Sequence, residues 1–88
     1  MTNALEEKVL TGPDEEKKIL WALRRYNDRF YTPRSVMLNG TATKAGIPLW
    51  KVIDYMISNK ICMPDDGEDA LRNLEIINGI IKERRYRL

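Results

Sequence analysis

The stretch Leu38–Ile57, LNGTATKAGIPLWKVIDYMI, decides how the rest of the chain is read. Two short helical runs meet in it at a tight turn, and Ala42, Gly46, Ile47, Val52 and Tyr55 carry the spacing of a helix-turn-helix unit. Ala42 is small where two helices must cross closely. Gly46 lacks the Cβ that would clash in the left-handed conformation ending the first helix. Pro48 suits a first helical position, because its fixed φ is already helical and its missing N–H is not needed there. Ile47, Val52 and Tyr55 return to one side of the next helix and can cap a small core.

Working outward, Leu38–Ala45 reads as a short helix and Leu49–Asn59 as the helix after the turn. Ile61, Cys62 and Met63 form a brief extended piece stopped by Pro64-Asp65-Asp66-Gly67. Asp65 or Asp66 then caps a closing helix over roughly Glu68–Arg84, with Leu71, Leu74, Ile77, Ile80 and Ile81 at helical spacing.

Upstream, Thr11-Gly12-Pro13-Asp14-Glu15-Glu16 reads as a helix start. Thr11 or Gly12 is the cap, Pro13 lies in the first turn, and three acids sit at the positive end of the dipole. Ile19, Leu20, Leu23, Tyr26, Asn27 and Phe30 make a stripe to about Phe30 in which only Asn27 is polar. Lys17, Lys18, Arg24, Arg25 and Arg29 lie mostly off it. Tyr31-Thr32-Pro33 ends this helix. Arg34–Met37 is ambiguous, and Asn39-Gly40 interrupts any long helix. The first ten residues, with Leu5, Val9 and Leu10, read equally as a short helix or an edge strand.

The fold expected is therefore mostly α: one small helix-turn-helix domain of four or so helices over residues 1–88. A winged variant, with Ile61–Met63 pairing the N-terminal segment as strands, is the alternative. Eighty-eight residues, 43% hydrophobic and 32% charged, make a globular composition with a modest core, in the size range where chains often dimerise. The single cysteine, Cys62, excludes an internal disulfide framework and reads as a small buried apolar side chain. No apolar run reaches the ~20 residues that cross a bilayer, and the start MTNALEEK is unlike a signal peptide, so a cytoplasmic location is expected.

Much chemistry is absent. Without histidine the chain lacks the usual proton shuttle and the commonest metal ligand. A lone cysteine with no histidine partner is a poor nucleophile. Asp65, Asp66, Glu68 and Asp69 lack the spacing of a calcium loop and read as a capping linker. No glycine-rich phosphate loop exists. No enzymatic activity, cofactor or metal is expected.

Charge falls in blocks. Residues 1–16 carry one base and five acids, 17–51 eight bases and one acid, 52–81 two bases and six acids, and 82–88 four bases and one acid. Such segregation either makes one side positive toward an anionic partner or lets the blocks pair within the fold. The tail 82–88 reads equally as a phosphate-binding arm and as a positive helix end.

If the unit docked on duplex DNA in the standard way, Pro48, Leu49, Trp50, Ile53, Asp54 and Ile57 would face the major groove. These are poor readers of base edges. Leu49, Trp50, Val52, Ile53, Tyr55, Met56 and Ile57 instead wrap nearly the whole helix. A helix apolar all round is buried, here by the closing helix or by a second copy of the chain. Trp50 accordingly reads as core packing rather than base stacking. For Tyr26, Phe30 and Tyr31 among the arginines, core plus a solvated face is preferred over nucleic-acid stacking.

Residues 41–83 resemble the second half of small prokaryotic helix-turn-helix proteins of an uncharacterised, antitoxin-like family. The likeness rests on an Ala-rich helix, the Ala45-Gly46-Ile47 turn, a following helix bearing Trp50, and a short linker to a Leu/Ile-rich closing helix. The chain departs from that pattern at Asn39-Gly40 and in a longer basic stretch before it. The resemblance implies a transcriptional regulator, or an antitoxin paired with a toxin protein. Two functions are thus expected. The first is binding of duplex DNA, with Arg34, Lys44, Lys51, Arg84, Arg85 and Arg87 on phosphate. The alternative is a protein-interaction module, a homodimer or toxin-binding partner, with Trp50, Ile53, Ile57, Leu74, Ile77 and Ile81 at the interface.

Overall fold

A computed structural model describes residues 4–30 and 37–88. Those residues form five helices and no strand: α1 Ala4–Thr11, α2 Glu15–Asp28, α3 Leu38–Ala45, α4 Leu49–Ser58 and α5 Gly67–Arg84. The domain is mostly α. The N-terminal segment is helix rather than edge strand, and Ile61–Met63 is unpaired coil, so no wing exists among the described residues. The expected stop at Tyr31-Thr32-Pro33 and the ambiguous Arg34–Val36 lie outside them.

The start of α2 differs from expectation. Thr11 closes α1, its Oγ1 donating to the Glu7 carbonyl at 2.7 Å, and Pro13 precedes the cap. Asp14 is the N-cap, its carboxylate accepting from the Lys17 N–H at 3.2 Å. A short carboxylate one residue before Glu15-Glu16 satisfies an orphan N–H and adds a third negative charge at the dipole's positive end. At its other end α2 stops at Asp28, two residues before Phe30.

Helix α3 has the expected bounds, and Gly46 ends it at φ 75°. The Gly46 N–H reaches the Thr43 carbonyl and the Ile47 N–H reaches the Ala42 carbonyl, both at 3.0 Å, which is the Schellman pattern with buried Ile47 as its apolar anchor. Pro48 stands one place earlier than expected. It is the N-cap of α4, with φ −58° and ψ 141°, and its carbonyl accepts from Lys51 N–H at 3.0 Å. The same ending recurs twice without glycine. Lys60 and Arg85, both at φ 59°, are followed by Ile61 and Tyr86, whose N–H groups reach Met56 and Ile81 carbonyls at 2.9 and 3.0 Å.

Helix α2 is the centre. Ile19, Leu20, Trp21, Ala22 and Leu23 are buried in succession, and Tyr26 and Asn27 continue them. Five consecutive residues span more than a full turn, so α2 is enclosed by α1, α3, α4 and α5. Asn27, the one polar member of the stripe, donates to the Leu23 carbonyl at 2.7 Å and accepts from Asn73 Nδ2 at 2.9 Å. Asn73, also buried, donates to the Cys62 carbonyl at 2.8 Å and accepts from the Cys62 N–H at 3.2 Å. Two buried amides thus fasten α2, α5 and the 61–63 linker. Cys62 itself is exposed, with Sγ 3.6 Å from Asn73 Oδ1, contrary to the expected buried thiol. The linker turns its backbone inward toward Asn73 and leaves the side chain outside.

Two substitutions test this framework by urea unfolding. Asn73→Ala strands Asn27 Oδ1 and both Cys62 backbone groups and should cost about 3 kcal/mol. Nothing lies within 4 Å of where a Gly46 Cβ would sit, so Gly46→Ala isolates the backbone term and should cost about 1–2 kcal/mol.

Candidate functional site

Helix α4 is not buried all round. Val52 and Met56 point into the core, while Trp50 is 66% exposed, Ile53 40% and Ile57 73%. The expectation that Trp50 packs in the core is therefore overturned, and Trp21 occupies that role. The cause is stoichiometric. Helix α5 lays its buried residues Ala70, Asn73 and Ile77 toward α2, leaving no helix to cover α4 from outside.

Trp50, Ile53 and Ile57 follow one another at three and four residues, which puts them on one line along the helix. Beside that line runs a groove of ≈ 530 Å³. Its base includes buried Tyr26, Leu38, Met56 and Ile61, and its rim carries Met37 and Met63, 69% and 55% exposed. The αL turn at Lys60 builds one wall by folding the linker back along α4, and the first turn of α3 builds the other. No charged side chain lines it.

The other flank of α4 is polar and tied to the start of α2. Lys51 Nζ meets Glu15 at 2.7 Å. Glu16 accepts from Tyr55 Oη at 3.2 Å, Arg84 Nε at 3.1 Å and Tyr86 Oη at 2.7 Å, joining α2, α4, α5 and the tail at one carboxylate. Burial first, and then the charge of Glu16, holds the Tyr55 hydroxyl far above its ordinary pKa. The hydrogen bond to Glu16 first, then burial, pushes Tyr86 up to about 12. In each case the neutral hydroxyl is the donor, and its anion would face a carboxylate.

The residues expected on phosphate are divided by this arrangement. Arg34 lies outside the described residues. Lys51 and Arg84 are engaged by Glu15 and Glu16. Lys44 is exposed at the end of α3, 5.8 Å from the Trp21 ring centroid. Arg85 and Arg87 do converge, on a second cleft of ≈ 430 Å³ shared with Lys8 and Lys17. Arg29 sits over the rings of Tyr26 and Phe30 at 4.4 and 4.5 Å, so those faces are covered from within.

Of the expected interface residues, Trp50, Ile53 and Ile57 share one exposed face. Ile77 is wholly inside the core, where no partner reaches it in this fold, and Leu74 and Ile81 are half-buried. Sequence reasoning passed over Met37, Met63 and Lys8 as site residues, and it placed Lys17 only within the basic stretch Lys17–Lys51 expected on phosphate, not among the named contacts. The methionines flank elements rather than lying on a periodic stripe, and each lysine belongs to a different charge block. Among the described residues no group of acids or cysteine could hold a metal ion, and no helix is long and apolar enough to cross a membrane. Asp66 and Asp69 are occupied as acceptors from Asp69 and Asp65 N–H groups at 2.9 and 3.2 Å.

No protein-family model, no curated protein and no solved structure matches this chain.

The tyrosine–Glu16 junction has a pH signature. Raised folded-state values mean that its stabilisation is complete below the ordinary tyrosine value of about 10 and lost as pH climbs through the folded value. Thermal midpoints should be flat on approaching pH 10 and fall toward 12. Tyr86→Phe should soften that fall, while the tyrosinate absorbance of the parent should appear later than in the unfolded chain.

Proposed function

We propose that this chain is a protein-interaction module of the helix-turn-helix regulator type, and that its working surface is the outer face of α4, occupied by a second copy of the chain. The observation that carries this reading is the exposed apolar line Trp50, Ile53 and Ile57, of which Ile53 and Ile57 line an uncharged groove rimmed by Met37 and Met63, while Lys51 and Asp54 flank Trp50.

Two physical arguments favour a copy of the same chain. Side chains of this size offer roughly 200 Å² apiece, so five at these exposures leave about 600 Å² of apolar surface, the upper end of the largest patch on an ordinary monomer. Pairing two such faces would remove about 1,200 Å² from water, which reaches the lower bound of stable interfaces. In a two-fold contact the same patch faces itself, so a patch of one charge sign would repel its copy. This one has no charge in the groove to oppose. The single line of Trp50, Ile53 and Ile57 matches the narrow apolar seam with which one helix packs against another.

Base reading by α4 is less well supported. Its outward side chains are Trp50, Ile53, Asp54, Ile57 and Ser58, which offer no arginine, lysine, asparagine or glutamine to a base edge. In the antitoxin-like reading, the same apolar face would serve a protein partner rather than an operator.

Sedimentation velocity over a concentration series tests the proposal. The parent chain should sediment as a dimer, and Ile57→Lys should weaken association by at least about 100-fold, since it places an unpaired ammonium in the seam. Helical circular dichroism should be unchanged, because Ile57 is outside the core. A parent that stays monomeric at high concentration, or a dimer that survives both Ile57→Lys and Trp50→Ala, would overturn it.

A further inference from the structure

The second cleft is independent of α4 and has a different chemistry. It opens where the end of α1, the start of α2 and the C-terminal tail meet, and Lys8, Lys17, Arg85 and Arg87 line it with Val9, Gly12, Pro13 and Asp14. Four cations face one carboxylate. That carboxylate is committed to capping α2, and none of the four cations forms an ion pair among the described residues. The nearby acids Glu15 and Glu16 are neutralised by Lys51 and Arg84 on the α4 side.

The tail is held in place rather than merely attached. After α5 the chain turns at Arg85 in the left-handed region, a place where glycine is usual and a side chain costs about 1 kcal/mol. Tyr86 then anchors it, with Oη on Glu16 at 2.7 Å and the Lys17 ammonium 5.2 Å from its ring centroid. Tyr86 and Leu88 pack on the core, and the alternate residues Arg85 and Arg87 line the cleft. The left-handed turn alone marks nothing, since Lys60 has it too. What distinguishes this end is convergence: lysines and arginines from three separate segments meet in one concavity large enough for a multiply charged ligand.

We infer that this cleft binds an oligophosphate anion, held by Lys8, Lys17, Arg85 and Arg87. The arginines supply planar forks to phosphate oxygens and the lysines supply point charges. Two sources have this chemistry, a free oligophosphate and the backbone of a nucleic acid, and the experiment separates them.

Isothermal titration of the full chain at low salt uses inorganic tripolyphosphate in one arm and a short mixed-sequence DNA duplex in the other. The paired substitution Lys8→Glu with Arg87→Glu should lower tripolyphosphate affinity at least about tenfold. Lys60→Glu with Arg72→Glu changes net charge equally but lies outside the cleft, and should change affinity less than about twofold. Duplex binding with the same sensitivity identifies the nucleic-acid backbone as the source. Tripolyphosphate binding without duplex binding identifies a free anion. Failure of the parent chain to bind either probe, or an equal loss in both variant pairs, would overturn the assignment. Because Lys8 and Arg87 are exposed and outside the α4 face, the dimer's mass should be unchanged in the cleft variant, which separates failure here from failure of the interaction reading.

Discussion

Enclosure of α2 is the constraint from which the rest of the structure follows. Its buried run Ile19–Leu23 needs cover on every side, and four other helices are all that the described chain offers. Each of them therefore gives one face to α2 and keeps another in solvent. For α1 and α5 the remaining face is largely polar and costs little. For α4 it is Trp50, Ile53 and Ile57. A small domain with one fully covered helix has little cover left for a second, as the ratio of surface to volume dictates.

That same constraint separates what could be read in the sequence from what could not. The bounds of α3, the ending at Gly46 and, to within the pair Asp65-Asp66, the cap of α5 were legible because caps and left-handed endings are local events, decided within four residues. The cap of α2 was misplaced by two or three residues because Thr11, Gly12 and Asp14 all suit the position. Only geometry shows that α1 uses Thr11 as its last residue. The endings at Lys60 and Arg85 carried no glycine to announce them. Asn27 stood out as the one polar residue of its stripe, but its partner Asn73 is 46 residues away and signalled nothing. Trp50 shows the limit most sharply. Periodicity says which side chains seek cover, not whether the chain has another helix to provide it, and the face that pattern analysis assigned to the core is left open.

The charge blocks resolve in the same terms. Pairing of the blocks within the fold holds in part. Lys51 and Arg84 reach back to Glu15 and Glu16, so the acidic first block pairs with the basic second and fourth. Exposed pairs of this kind add little stability individually. Their structural effect is directional: with the hydroxyls of Tyr55 and Tyr86 on Glu16, they fix one flank of α4 to the start of α2 and turn the apolar flank outward. They also remove two cations from the set available to an anion. Among the described residues Lys8, Lys17, Arg85 and Arg87 form no ion pair, and these four meet in the cleft.

The two proposed surfaces share no residue. The groove is built from the start of α3, the outer line of α4 and the 61–63 linker, and the cleft from α1, the start of α2 and the tail. Pairing through α4 would thus leave the cleft of each copy open. A two-fold dimer would present two identical basic clefts at a fixed separation, which changes the anion it favours. A compact oligophosphate fills one cleft and gains nothing from the second. An extended polyanion that reaches both converts its second contact into an intramolecular event, and avidity then rises by orders of magnitude with no new side chain involved, provided its span matches the separation. On this argument the apolar face of α4, which offers no side chain suited to base edges, would govern any nucleic-acid affinity indirectly, by setting how many phosphate clefts act together.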